Sequence, residues 1–114
     1  MKNIVVVLFL VFFFFSGHRQ EVKNKNAKVE FYENGNCEMC KKRIEKAALS
    51  VSGVKSADWH MDCGTLYLIV NEQKTNVAAV QKIIAKAGHD TDGAKALKTD
   101  YENLHGCCQY ERKL

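Results

Sequence analysis

Cys37 and Cys40 stand three residues apart in Cys37-Glu38-Met39-Cys40, between a strand-like run and a helical one. Lys28-Val29-Glu30-Phe31-Tyr32 leads in through Glu33-Asn34-Gly35-Asn36, and Lys41 to Ala48 carries a helical pattern onward. Thiols so spaced at a helix start project from the same side of its first turn. Unpaired N–H groups and the positive end of the helix dipole favour the thiolate there. Two converging thiolates suit a soft, low-coordinate ion, Cu(I) first and Hg(II) second, and they also suit thiol–disulfide exchange. Zinc would want four ligands, which only the C-terminal tail could complete.

The elements around this motif predict two strand–helix–strand units. Cys40, Ile44, Ala47, Ala48 and Val51 recur at helical spacing, and Ser52-Gly53 ends that helix. Val54 to His60 reads as a strand, Met61-Asp62-Cys63-Gly64 as a hairpin turn, and Thr65 to Val70 as a second strand of that hairpin. Thr75 or Asn76 caps a second helix carrying Val77, Val80, Ile83, Ile84 and Ala87, which Gly88 stops. A short fourth strand is expected around His89 to Ala94. The order βαββαβ predicts an α+β, ferredoxin-like open-faced sandwich, helices on one side of an antiparallel sheet.

Length and charge narrow the function. A chain of 114 residues with 46% hydrophobic residues supports one modest core. The net charge of +4 includes no long basic block, so no nucleic-acid partner is expected. Met1-Lys2-Asn3 followed by the apolar run from Ile4 to Phe15 reads as a signal peptide over 1–17, cut near Ser16 or Gly17. A secreted or periplasmic protein follows, with an uncleaved membrane anchor as the alternative. Residues 18–26 read as a flexible tether, 27–94 as the folded domain and 95–114 as a C-terminal tail.

Several segments together resemble the heavy-metal-associated domain. They are Gly35-Asn36-Cys37-Glu38-Met39-Cys40, Arg43 to Ala47, Ser52-Gly53-Val54 and Ile84-Ala85-Lys86-Ala87-Gly88-His89-Asp90. That domain occurs in copper chaperones, in the periplasmic mercury-binding protein and at the amino ends of metal-pumping P-type ATPases. The resemblance implies the same βαββαβ fold and puts the metal ligands at Cys37 and Cys40. It also implies a metallochaperone-like carrier whose partners are the ion and a metal-transporting membrane protein or another thiol site. The family usually has methionine two residues before its first cysteine, where this chain has Gly35. At the position of His89 the family commonly has tyrosine or lysine; histidine there could hydrogen-bond a thiolate, offset its charge or serve as a third ligand.

The rival reading is a thiol-disulfide oxidoreductase of the thioredoxin type, and a purely structural Cys37–Cys40 disulfide is a third. The thioredoxin fold faces its cysteines with a cis-proline, and this chain contains no proline. A metal carrier, not an enzyme, is therefore expected. Met61 and Cys63, on the hairpin, are expected to be bystanders. Lys41-Lys42-Arg43 reads as a solvated helix face or a patch that steers an acidic partner. The tail adds His105-Gly106-Cys107-Cys108. Adjacent cysteines strain a mutual disulfide, so Cys107 and Cys108 are better read as thiols that reach something else. From Lys95 to Cys107 the chain can extend ~40 Å, enough to return to Cys37 and Cys40 as further ligands or to make a separate site.

Overall fold

The computed structural model describes residues 23–113, so the signal segment and the first part of the tether lie outside the described residues. Three strands, β1 (Ala27–Tyr32), β2 (Val54–His60) and β3 (Thr65–Val70), form an antiparallel sheet in the order β1-β3-β2. Two main helices, α1 (Glu38–Leu49) and α2 (Val77–Lys86), pack on each other, and α1 also packs on β2. A short helix α3 (Lys98–Glu102) and a 3-10 turn (Gly106–Cys108) complete the chain. Among the described residues no helix is long and apolar enough to cross a membrane.

Alternation in β3 shows why one face of the sheet is covered. Leu66, Leu68 and Val70 are buried, while Tyr67 between them is exposed. The buried set meets Ile44 and Ala48 of α1 and Val80 and Ile84 of α2 in one core. Asn76 caps α2 by accepting the Ala79 N–H at 2.9 Å. Gly64 turns the β2–β3 hairpin with φ +67°, where a side chain would also run into Tyr32. The first helix stops earlier than its apolar spacing suggested, with Ser50 as its C-cap, so Val51 lies beyond it.

The fourth strand expected around His89 to Ala94 is replaced by a single bridge, Glu33 to Thr91. The segment Gly88-His89-Asp90-Thr91-Asp92-Gly93 is poor in strand-forming residues. Its polar side chains bind locally instead. Thr91 Oγ1 accepts the N–H groups of Gly93 and Ala94, and Asp90 Oδ1 accepts that of Ala96. The chain therefore turns away from the sheet after one bridge and sends the tail back toward α1.

The same bridge buries Glu33. Its carboxyl oxygens have no hydrogen-bond partner, and burial, with Asp90 and Asp92 nearby, pushes its pKa up to about 10. The folded-state value lies above the unfolded one of 4.5, so the stabilising contribution is complete below 4.5 and lost as pH rises through about 10. Between those limits the slope is about 1.4 kcal/mol per pH unit. Glu33→Gln should flatten this decline in chemical-denaturation curves taken from pH 5 to 9. Parallel curves for variant and parent would refute it.

Candidate metal site

Cys37 occupies the N-cap position of α1 with extended backbone, and Cys40 lies in the first turn, its residue fully buried. Their Sγ atoms are 3.3 Å apart, and all the described cysteines are free thiols. The 3-10 turn packs against α1 and brings the tail to the same place. Cys37 Sγ lies 3.2 Å from Cys108 Sγ and 3.2 Å from Cys107 Sγ. Cys37, Cys40 and Cys108 form a group whose sulfurs all fall within 4.8 Å of one another. Cys107, exposed, sits at its rim, 4.0 Å from Cys108 Sγ and 3.6 Å from Met39 Sδ.

Neighbouring thiols shift one another's ionisation. Burial raises the pKa of Cys37, but the thiols of Cys107 and Cys108 and the Cys40 N–H outweigh it and bring it down to about 7. Cys108 is pushed well above the ordinary thiol range by burial and by its contacts with Cys40 and Cys37. Cys107 is raised chiefly because its S–H donates to Cys37. Around neutral pH Cys37 therefore passes between thiol and thiolate, and as the thiolate it accepts the S–H groups of Cys107 and Cys108. A soft cation would take the place of those protons.

The floor of the site answers the glycine departure. A Cβ at Gly35 would lie 3.0 Å from Cys40 Cβ and 3.0 Å from the Trp59 ring. Trp59, only 1% exposed, fills the room beside Gly35, and its indole N–H donates to Glu33 O at 3.1 Å. The backbone of β2 is tied to α1 as well: Glu45 Oε2 accepts the Trp59 N–H, and Lys41 Nζ donates to Trp59 O. Lys41 also pairs with Glu45 and Asp58, while Arg43 Nε donates to Ala87 O at the end of α2. Of the basic run, Lys41 and Arg43 thus fasten elements together, which leaves little of it as a docking patch.

His89 is placed beneath the loop and outside the thiol group. Its Nδ1–H donates to Asn34 O at 2.7 Å, its ring stacks on Tyr110 with centroids 5.5 Å apart, and its Nε2 is buried without a partner. Burial lowers its pKa, which keeps the ring neutral. It braces the loop before α1 by holding Asn34, whose side chain also donates to Asp90 O. Cys63 is exposed on the β2–β3 hairpin, its Sγ against His60 O, and Met61 is exposed beside it.

The residues that deliver the tail carried no signal in the sequence. Tyr110 is 5% exposed; its hydroxyl accepts the Asp90 N–H at 2.6 Å and donates to Gly88 O at 3.0 Å. Arg112 grips the Asp90 carboxylate with two nitrogens, each at 2.8 Å, and its guanidinium lies over the Tyr101 ring. Burial opposes the ionised form of Asp90, but Arg112 and the Ala96 N–H hold its pKa below the usual carboxylate value. Tyr110 lies two residues from Cys108, so this clasp fixes the tail cysteines against α1. Asn36, whose Oδ1 accepts the Cys40 S–H at 3.4 Å, completes the loop.

Comparison with known proteins agrees with this geometry. The heavy-metal-associated domain model matches residues 23–90. No curated protein sequence matches the chain. Among solved structures, the CopZ metallochaperone is 26% identical, with a TM-score of 0.55, over 57% of this chain and 98% of its own. The N-terminal domain of a potential copper-translocating P-type ATPase from Bacillus subtilis, solved in the Cu(I)-loaded state, is 27% identical with a TM-score of 0.55, over 58% of this chain and 84% of that domain. Oxidized MerP from Ralstonia metallidurans CH34 shares the fold, at 23% identity and a TM-score of 0.51 over 58% of this chain and 96% of its own. With its cysteine pair at the start of α1 and its matched length, the chain belongs to the heavy-metal-associated domain family.

Proposed function

We propose that the protein captures a soft metal ion, Cu(I) foremost and Hg(II) next, on Cys37 and Cys40 with Cys108 as a third thiolate, and passes it on or sequesters it. The observation that carries this reading is the convergence of those three sulfurs within 4.8 Å at the start of a helix. Thiolate sulfur selects soft ions, and a trigonal set accepts an incoming thiolate without first releasing the ion. Zinc would need Cys107 as a fourth ligand. A thiol site on another protein, such as the amino-terminal domain of a metal-pumping ATPase, is the natural recipient. We place this exchange in the periplasm or outside the cell, following the apolar start of the chain. No substrate bond is made or broken, so the function is carriage and not catalysis.

Native mass spectrometry of the reduced chain with Cu(I), Hg(II) and Zn(II) in turn tests the reading. One tightly held Cu(I) or Hg(II) per chain, and Zn(II) held less well, is the expected result. A preference for Zn(II) would overturn the assignment of the ion. The oxidoreductase alternative predicts reduction of insulin disulfides at a catalytic rate, and turnover like that of a thioredoxin control would replace the metal reading.

A further inference from the structure

The sulfurs at this site fall into two tiers. Cys40 and Cys108 are 0% and 2% exposed, whereas Cys107 and Met39 face solvent, and Cys37, half-buried, touches both groups. Met39 Sδ is 3.6 Å from Cys107 Sγ, which in turn is 3.2 Å from Cys37 Sγ. A thioether beside Cys107, itself beside Cys37, is a soft donor set that hard cations do not favour. Met39 is also held in place by its position in the first turn of α1 and is 45% exposed, a large apolar side chain kept in water. The inner sulfurs alone offer an arriving complex little surface to attack.

We propose that Cys107, Met39 and Cys37 form an outer Cu(I) site, which takes the ion from a small thiol complex and hands it through the shared Cys37 to Cys40 and Cys108. In the first step Cys107 and Cys37 each form a bond to the ion, with the Met39 thioether added, as the two sulfur–Cu bonds of the carrier complex break. Cys37 enters as the thiolate, the Cys107 thiol proton goes to one departing carrier thiolate, and solvent protonates the other. In the second, Cys40 and Cys108 bind the ion, which stays on Cys37, while Cys107 and Met39 leave. One of their thiol protons returns to Cys107 and the other passes to solvent. The copper stays Cu(I) throughout, so no oxidant or reductant is needed. The tether supplies Cys107 at high effective concentration, which makes the outer step fast.

This inference rests on the inner site described above, and its test separates the two. Full chains carrying Cys107→Ser, Met39→Leu or Cys108→Ser are mixed with Cu(I)–glutathione, and uptake is followed by stopped flow, equilibrium affinity by chelator competition. Cys107→Ser should slow uptake by about tenfold or more, in keeping with loss of a tethered ligand, and leave affinity unchanged. Met39→Leu, which keeps size and apolarity, should slow uptake to a smaller degree. Cys108→Ser should weaken affinity and leave the fast first step intact. Uptake by Cys107→Ser as fast as by the parent would overturn the outer site while leaving the inner one standing. So would an affinity loss equal to that of Cys108→Ser, which would make Cys107 an ordinary ligand. Failure of the unmodified chain to hold Cu(I) would remove both.

Discussion

A chain with serine at both Cys37 and Cys40 should lose high-affinity Cu(I) binding altogether. The loss should far exceed the ~100-fold that removing a supporting residue around a metal costs. The pKa of Cys37 is lowered to about 7, and it touches every other cysteine sulfur of the cluster, so the site has no centre without it. Cys40 is fully buried beside Trp59 and Ile44, and placing a hydroxyl there costs roughly 1–3 kcal/mol. The single Cys37→Ser variant is therefore the companion measurement, since that side chain is only half-buried, at the edge of the core. Circular dichroism reports the fold, and competition with a chelating probe reports affinity. Tight binding by a folded double variant would show that the primary site lies elsewhere.

Tyr110→Ala should change both stability and the number of sulfurs around the ion. Tyr110 packs with Leu104 and Cys108 in the main core, and truncating a buried aromatic costs about 3–5 kcal/mol. It also leaves the Asp90 N–H and Gly88 O of the clasp unpaired. Without that anchor Cys108 is free to leave α1, and X-ray absorption on the Cu(I) form should fall from three sulfur neighbours toward two. Tyr110→Phe keeps the ring stacked on His89 and removes only the hydroxyl. It should cost roughly 1–3 kcal/mol for the unpaired groups and keep three sulfurs. Three sulfur neighbours in the folded Tyr110→Ala chain would show that the tail needs no clasp.

The order of elements up to Gly88 was legible in the sequence because each carries a local signal. Leu66, Leu68 and Val70 alternate, Asn76 caps, and Gly53, Gly64 and Gly88 each stand at a positive φ. That the fourth-strand segment is poor in strand formers was legible, but its reduction to a single bridge was not, since a short segment's pairing depends on what its polar groups find nearby. Asp90 and Thr91 found closer partners than a strand edge. Lys42 and Arg43 are exposed, as a solvated helix face requires, but a sequence does not show that Trp59 O and Ala87 O await Lys41 and Arg43.

By itself the sequence determined the chemistry on offer, two thiols at a helix start and two more in a tail long enough to return. Spacing of three residues on a helix is a local constraint, so Cys37 and Cys40 had to meet. Whether Cys107 and Cys108 joined them was a question of where a flexible tail comes to rest, and chain length only permitted it. The tertiary structure decided it through side chains distant in sequence. Tyr110 on Gly88 and Asp90, with Arg112 on Asp90, hold Cys108 against Cys37 across a separation of 71 residues.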